Sequence, residues 1–532
     1  MKTVERNSNL LTIRFQSWDK DEWALLLTTV KSLGGREFHP KGKYWTAFAT
    51  EENLAKLKQV GFDFLWDAAG VAEKQADDWK SVHVDVEKIP GLRPYQYDAI
   101  RFIGYRKGRA LIGDEMGTGK TVMALSWARY GRKAPMLIVV PASIKLQWRR
   151  EFRKWCSKTA DVEVLYGKTS HRLASNCSYI INWDILNDWK EQLKQIPFRL
   201  IIGDEIQAIG NTGSKRSKAF KSLAKKIPEM VALSGTPIRS RPDQFYPILN
   251  LLDRITFYNQ WAFRHRYCDP KHNGFGWDFT GASNVEELHA LVSNIMIRRT
   301  KRDVLPDLPE KVKVVVPLDD VELKDYLRAA DEMREVFQVQ TNRQELERAF
   351  DYLKNSAFEA KKKSVVKWIE NFIETGEKLV VFTYHRAVSE FLHERFSDRG
   401  VLIYGGISKG AREGAIQDFI NNHRVRVLIG NIQSAGVGID GLQGACSNSA
   451  TVELGWSPTD HSQAEDRLHR IGQKDSVTSY YLIAPDTVEE EIVGLLDEKT
   501  KMIEQLVDGK AEAEIDLLGD LLRIMRKEKI AS

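Results

Sequence analysis

A chain of 532 residues, at ~100–200 residues per domain, is expected to hold three or four structural units. Its 42% hydrophobic and 29% charged residues, with only 16 prolines, exclude collagen-like, mucin-like and disordered classes. The 79 Lys plus Arg against 73 Asp plus Glu leave a net charge of +6, which permits acidic partners without demanding them.

The opening MKTVERNSN lacks the apolar run of a secretory signal, and no stretch reaches ~18 consecutive apolar residues, so neither secretion nor membrane spanning is expected. Residues 1–87 read as a small α+β module, with an amphipathic segment WALLLTTVKSL (23–33), a basic and aromatic stretch REFHPKGKYW (36–45) and a second helix-like run at 51–60. From about residue 90, ALIG (110–113), MLIVVP (136–141), YIIN (179–182), RLIIGDE (199–205) and VALSGT (231–236) alternate with amphipathic segments. Buried strands alternating with helices specify a parallel sheet, and this first α/β lobe is assigned to residues 88–308. After a charge-rich helical stretch the rhythm returns in LVVFTY (379–384), GVLIYGG (400–406), RVLIGN (426–431), ATVEL (450–454) and TSYYLIAP (478–485), a second lobe assigned to residues 309–500. Residues 487–532 read as helical, with 501–532 forming a C-terminal brace. Cys156, Cys177, Cys268 and Cys446 form no CxxC pair and have no His at ligand spacing, so neither zinc nor a disulfide framework is expected, and a reducing compartment fits.

Three stretches carry chemistry. DEMGTGKT (114–121) follows a predicted strand and opens a predicted helix, so backbone N–H groups of Gly117, Thr118 and Gly119 can wrap a phosphate. Lys120 would then reach the β/γ-phosphates and Thr121 would ligate Mg²⁺, although the strict P-loop pattern has Gly where this chain has Asp114. RLIIGDEIQ (199–207) ends an apolar strand in Asp204, suited to the Mg²⁺ shell, and Glu205, suited to polarising an attacking water. Two solvent-facing carboxylates capping a strand are the plainer alternative, which leaves the P-loop unexplained. In QAEDRLHRIGQ (463–473), Arg467 and Arg470 stand at i and i+3 and are expected on one face of a helix, as arginine fingers across a cleft from the P-loop.

In this order the motifs resemble superfamily-two helicase-like ATPases of the Snf (chromatin-remodeller-like) family, over roughly residues 90–500. DEMGTGKT has the family's own Asp in place of the first glycine, and LRPYQ (92–96) is similar to its adenine-side motif, which implies base contacts for Arg93 and Gln96. PASIKLQWRREFRKW (141–155), NWDIL (182–186), SGTP (234–237), IRRTKRDVLPDLPEK (297–311), SAGVGIDGLQ (434–443) and WSPTDHSQAEDRLHRIGQ (456–473) stand in family order. The resemblance implies two RecA-like lobes, a nucleotide site joined by Gly438, Asp440 and Gln463, and coupling of hydrolysis to DNA through Ser234 and Thr236. It also implies that Trp456 lies against a DNA minor groove. Gln207 departs from the pattern, because the family usually places His there. An amide can still hydrogen-bond toward the γ-phosphate or SGTP, so hydrolysis is expected to survive.

YCDPKHNGFGWDFTGASNVEELHALV (267–292) resembles the annealing-helicase branch, whose members carry a HARP module ahead of the motor, and REFHPKGKYW resembles that module more loosely. Relatives use it to recognise branched or forked DNA, which makes Lys41, Lys43, Tyr44 and Trp45 expected DNA contacts, with packed core the alternative for the Tyr-Trp pair. The clusters Lys145, Arg149, Arg150, Arg153, Lys154 and Arg298, Arg299, Lys301, Arg302 are expected to grip phosphates, or else to be solvated helix faces. The sequence therefore reads as a DNA-dependent ATPase using ATP and Mg²⁺, a translocase that remodels or anneals duplex or forked DNA. A strand-separating helicase and an ATP-gated DNA-binding scaffold are its rivals. A monomer without zinc or membrane contact is expected. By analogy with stand-alone bacterial or phage members it would be cytoplasmic, and nuclear if eukaryotic.

Overall fold

The computed structural model describes residues 2–507, except 8–9, 18, 41, 49, 65–77, 86–88, 157–160, 236–241, 273–276, 280, 339–342, 433–438, 440 and 456. Lys41, Thr236, Gly438, Asp440, Trp456 and most of 501–532 thus lie outside the described residues.

The molecule is built on two parallel sheets, one per lobe, each flanked by helices. The first has seven strands in the spatial order Met296–Ile297, Arg109–Ile112, Glu229–Leu233, Leu200–Asp204, Met136–Val140, Ser178–Asn182 and Val162–Val164. Every adjacent pair is parallel. Helices cover both faces of such a sheet, which is why its central strands are unbroken apolar runs: all five residues of MLIVV (136–140) are buried. The second sheet, also wholly parallel, runs Lys311–Pro317, Val477–Ile483, Asn448–Thr451, Leu379–Thr383, Val427–Asn431 and Gly400–Ile403. Its edge strand, Lys311–Pro317, mixes half-buried and exposed residues and has none fully buried.

Register sets the chemistry. Asp204 pairs with Leu233, Leu233 with Ile112 and Ile112 with Ile297, so these four strands end in one row. The next residue of each chain segment, Glu205, Ser234, Gly113 and Arg298, therefore emerges at the same carboxyl edge, where open α/β sheets gather their ligands.

After the first strand of the second sheet the charge-rich stretch forms helices Leu323–Gln338 and Arg343–Glu374, the latter 32 residues long and packed on the second lobe's core. Lys361 on the long helix is fully buried and bonds the Leu482 carbonyl and both oxygens of Glu489, at 2.6 Å for the closer, which fastens it to the start of the last described helix, Val488–Val507. Residues 2–64 form a five-stranded sheet in the order Glu37–His39, Tyr44–Phe48, Leu10–Phe15, Lys2–Asn7 and Asp63–Phe64. Helices Lys20–Lys31 and Glu51–Gln59 accompany it, their starts set by Asp19 and Thr50, whose side chains accept from the first-turn N–H groups. Alternation along Tyr44–Phe48 places Trp45 against the small core of Val4, Leu11, Ile13 and Leu26 and turns Tyr44 to the opposite face. No helix among the described residues is long and apolar enough to cross a membrane.

Candidate active site

Residues 113–119 turn from the strand Arg109–Ile112 into the helix Lys120–Tyr130, with Gly117 and Gly119 at φ 84° and 88°. A Cβ on Gly119 would sit 2.6 Å from Gln96 Nε2, and one on Gly117 would sit 2.8 Å from the Cβ of Arg470. Only glycine fits both the backbone and the space. The loop is pinned from one side by the Tyr95 hydroxyl (2.6 Å) and the Gln96 amide (3.3 Å), both donating to the Thr118 carbonyl, while Gln96 Oε1 accepts from the Arg93 N–H. Arg93 and Gln96 thus stand at the loop, with Gln96 almost fully buried and bracing it.

The fully buried Asp114 explains its own departure from glycine. Its carboxylate takes a two-pronged grip from Arg299, at 3.1 and 2.5 Å, and Arg299 also donates to the Tyr95 carbonyl. Arg298 donates to the carbonyls of Gly113 and Gly235. Expected on a DNA-facing cluster, these two arginines form hydrogen bonds that brace the P-loop from its neighbouring strand. Lys120 Nζ donates to the Asp114 and Glu115 carbonyls at 2.7 and 2.9 Å. Burial pulls its ammonium below the usual pKa, opposed by Glu205, Asp114 and Asp204.

Along the same sheet edge, one strand beyond Glu229–Leu233, Asp204 accepts from the buried Trp148 indole at 2.8 Å and from the Glu205 N–H at 3.0 Å. Burial and then the charge of Glu205 lift the Asp204 carboxyl to about 6. Glu205 adopts φ 50°, ψ 53°, a left-handed conformation costly for a side chain other than glycine, which turns its carboxylate out of the strand direction. Gln207 donates to that carboxylate while its carbonyl oxygen accepts from the Ser234 hydroxyl at 2.7 Å. Glu205, Gln207 and Ser234 form one hydrogen-bonded chain, so the amide in the usual His position links the same two segments. Gly235 follows so close to the P-loop that a Cβ there would meet Met116 Cγ at 2.5 Å.

From the second lobe, helix Pro458–Glu465 carries the buried Gln463 and ends at Asp466. Arg467 and Arg470, expected on a helix face, instead lie in the turns that follow it. At the helix end Asp466 is held by two cations: Lys301 Nζ approaches its carboxylate at 2.8 Å and Lys311 at 3.0 Å. Lys301 also donates to the His469 carbonyl at 2.7 Å, and its own backbone N–H donates to the Glu115 carboxylate. His469 in turn reaches the Pro309 carbonyl at 2.7 Å. Although burial acts the other way, the two lysines hold the Asp466 carboxyl far below the usual carboxylate range. Lys301 therefore joins the P-loop to the arginine turn, and Arg470 packs directly on Gly117. Sequence reasoning placed this lysine in a phosphate-gripping cluster, whereas its partner Asp466 and the brace Trp148 escaped it. A buried pair separated by 165 positions has no local signature in a single chain.

Lys145 is 4% exposed and donates to Leu165 and Asn182, so burial removes it from the surface expected of it. On the same helix, Lys145–Cys156, Arg150, Arg153 and Lys154 are exposed and Arg149 half-buried, while Trp148 and Phe152 face inward. Arg150 reaches Glu413 of the second lobe at 3.6 Å. Lys43 sits exposed in a turn at φ 52°.

The donor set fits a phosphate-bound divalent cation. Thr121, Asp204 and Glu205 offer hard oxygen atoms, and no cluster of three or more His, Cys, Asp or Glu able to hold a metal alone occurs among the described residues. Mg²⁺ is characteristically held by one or two carboxylates plus substrate phosphates, not by a full protein cage. If Asp204 holds the cation, proton and Mg²⁺ would compete for it, and the apparent Mg²⁺ affinity should then be about fourfold weaker at pH 5.5 than at 7.5, as a carboxyl titrating at about 6 is then about one-quarter ionised. Mg²⁺ titrations of ATP hydrolysis at the two pH values check this. A folded pKa raised above the unfolded ~3.9 means this group favours the fold most in acid and loses that contribution as pH rises toward 6.

A model of the SNF2-related domain matches residues 95–373, and one of the helicase conserved C-terminal domain matches residues 360–472. The chain is 32% identical over 514 residues to the SWI/SNF-related matrix-associated actin-dependent regulator of chromatin subfamily A-like protein 1 of Xenopus laevis, covering 91% of this chain and 52% of that protein. It is 30% identical over 509 residues to the Caenorhabditis elegans homolog, covering 90% and 73%. With the DNA annealing helicase and endonuclease ZRANB3 of Homo sapiens it shares 31% identity over 443 residues, covering 79% and 41%. The chain thus spans about half the length of most of these curated relatives. The solved Sulfolobus solfataricus SWI2/SNF2 ATPase core in complex with dsDNA aligns with a TM-score of 0.40 at 24% identity, covering 81% of this chain and 96% of that one.

Proposed function

Because this chain belongs to the SNF2-related family, we propose that it is a DNA-dependent ATPase that tracks on duplex or forked DNA and remodels or re-anneals it. The observation that carries this reading is the meeting of Arg470 of one lobe with Gly117 of the other, at the sheet edge where Asp204, Glu205 and Ser234 converge. A phosphate wrapped by residues 117–119 would lie between the two lobes.

In the proposed cycle the P-loop N–H groups and Lys120 hold the β/γ-phosphates, and Arg93 and Gln96 lie on the adenine side. Glu205 orients water and draws its proton as the water oxygen bonds the γ-phosphorus and the bridge to the β-phosphate breaks. When bound, Mg²⁺ neutralises charge on the transferring phosphoryl group, with Thr121 and Asp204 as its protein ligands. Arg467 and Arg470 add positive charge from the opposite lobe, so turnover depends on lobe closure. DNA held across Arg149, Arg150, Arg153 and Lys154, with Trp456 and the N-terminal module, would bias that closure.

Gln207 and Ser234 then relay between the water-orienting carboxylate and the segment that leads toward DNA. Ser234→Ala is expected to lower DNA stimulation several-fold more than DNA-free hydrolysis, since it removes one hydrogen bond of ~1 kcal/mol and leaves Glu205 in place. Equal loss in both rates would sink the relay. A forked duplex with one labelled strand tests the DNA outcome: ATP-dependent pairing of complementary arms supports remodelling or annealing, and ATP-dependent release of the labelled strand means strand separation instead. DNA as partner suggests a nucleus or nucleoid as the place of work.

A further inference from the structure

At the amino edge of the first sheet, the end away from the nucleotide site, a cleft of about 550 Å³ opens where strand Arg109–Ile112 begins. Helices Pro94–Tyr105, Lys215–Ala224 and Pro242–Leu252 all end there. Its lining holds five cations, Arg106, Lys107, Arg109, Lys225 and Arg254, and a single carboxylate, Asp253. Arg109 is half-buried and donates to the carbonyls of Ile227, Pro228 and Leu251 at 3.1, 3.0 and 2.7 Å. Lys107, Lys225 and Arg254 are exposed.

A cation beside a helix carboxyl end is ordinary, because each such end carries ~0.5 negative charge. Three ends and Asp253 still leave the five cations in excess. The acceptors of Arg109 are neutral carbonyls, so its charge is not cancelled. Asp253 is committed to its own turn: its carboxylate accepts from the N–H groups of Ile255 and Thr256, both at 3.1 Å, and from the Thr256 hydroxyl at 3.0 Å, while Arg106 lies 3.7 Å away. Crowding shows at Lys221, whose ammonium burial, then Lys225 and then Arg254 pull below its usual pKa. The same three bonds fix the turn that holds Ile255 outward, 71% exposed, in the lining of the cleft. One exposed isoleucine is ordinary on a surface. Here it is locked in place among cations, so a ligand that uses the whole site offers negative charge and an aliphatic group together.

We propose that this cleft docks an acidic peptide of a partner protein, with carboxylates on Lys107, Lys225 and Arg254 and one aliphatic side chain against Ile255. Charge complementarity sets the sign of the ligand. Ile255 separates a peptide from a nucleic-acid strand, whose phosphates would use the cations but whose bases stack on aromatic rings, and the lining's one aromatic ring, Tyr105, is half-buried. Because the cleft lies at the opposite sheet edge from Lys120 and Glu205, docking leaves the nucleotide site open. The proposal goes beyond the ATPase reading and does not depend on it.

The test is fluorescence anisotropy on the full chain with two labelled short peptides of Asp and Glu, one with a central leucine and the other with serine in its place. An unlabelled oligothymidylate of matching charge serves as competitor. The leucine peptide should bind ~10-fold more tightly than the serine peptide, the size expected for partly burying one aliphatic side chain. Ile255→Ser should erase that difference and leave the serine peptide as it was. Lys225→Glu combined with Arg254→Glu should weaken both peptides ~10-fold or more, and so should added salt. All three side chains are exposed, so these changes spare the fold. Equal affinity for the two peptides, no binding of either, or binding that ignores the charge reversals would overturn the proposal. Displacement of the leucine peptide by oligothymidylate at equal charge would overturn it too, and would assign the cleft to a nucleic-acid backbone.

Discussion

Replacing Glu205 with glutamine is expected to lower steady-state ATP hydrolysis ~10²–10⁴-fold while ATP still binds, the range for loss of a positioned general base. The change is nearly isosteric, and the residue sits at a left-handed turn that the neighbouring strand ends hold in place. The backbone N–H that bonds Asp204 and the contact to Gln207 are both available to the amide, so the phosphate cradle of residues 117–120 keeps its shape. What disappears is the negative charge that orients and deprotonates water. Equilibrium binding of a fluorescent ATP analogue, measured beside turnover, separates the two effects. A variant that hydrolyses ATP at the rate of the unaltered chain would remove Glu205 from this role.

Lys301→Met is expected to have the second-largest effect, because it removes one partner of a buried pair that spans the lobes. Lys301 and Asp466 are 5% and 9% exposed, and stripping the partner from a charge so buried costs ~3–5 kcal/mol. Lys311 remains at 3.0 Å, which places the expected loss at the low end of that range. The kinetic signature is more telling than the stability. With the arginine turn no longer tied to Glu115 and the P-loop, kcat should fall ~10-fold or more while the KM for ATP changes little, since the phosphate cradle itself is intact. Lys301→Arg, which keeps the charge, should restore part of kcat. A loss confined to the unfolding midpoint, with kcat unchanged, would make Lys301 a structural tie only.

The fold was legible where one physical cause dominates. Parallel strands covered on both faces must be apolar throughout, so MLIVV (136–140) and LVVFT (379–383) announce themselves, and both are fully buried. The cradle was legible because Gly117 and Gly119 stand where a side chain would collide. Charge was read less well, because its sign says nothing of its partner. Lys145, Arg298 and Arg299 sat in basic runs that suggested phosphate contacts, and the fold instead gives them carbonyl, amide and carboxylate partners from distant segments. The i, i+3 spacing of Arg467 and Arg470 suggested a helix, but the helix ends at Glu465 and both arginines lie in the turns beyond Asp466. The aromatic pair Tyr44-Trp45 divides between the two faces of one strand, a consequence of period-two alternation that leaves Trp45 on the module's core and Tyr44 on the opposite face.

The proposed cycle hydrolyses ATP between the lobes in answer to DNA. Its most direct test is steady-state ATP hydrolysis without DNA and with single-stranded, duplex and forked DNA, beside Lys120→Ala. Strong stimulation by duplex or forked DNA that vanishes in Lys120→Ala is the expected result. Turnover that stays flat and near zero on every DNA, or that persists in Lys120→Ala, would contradict it.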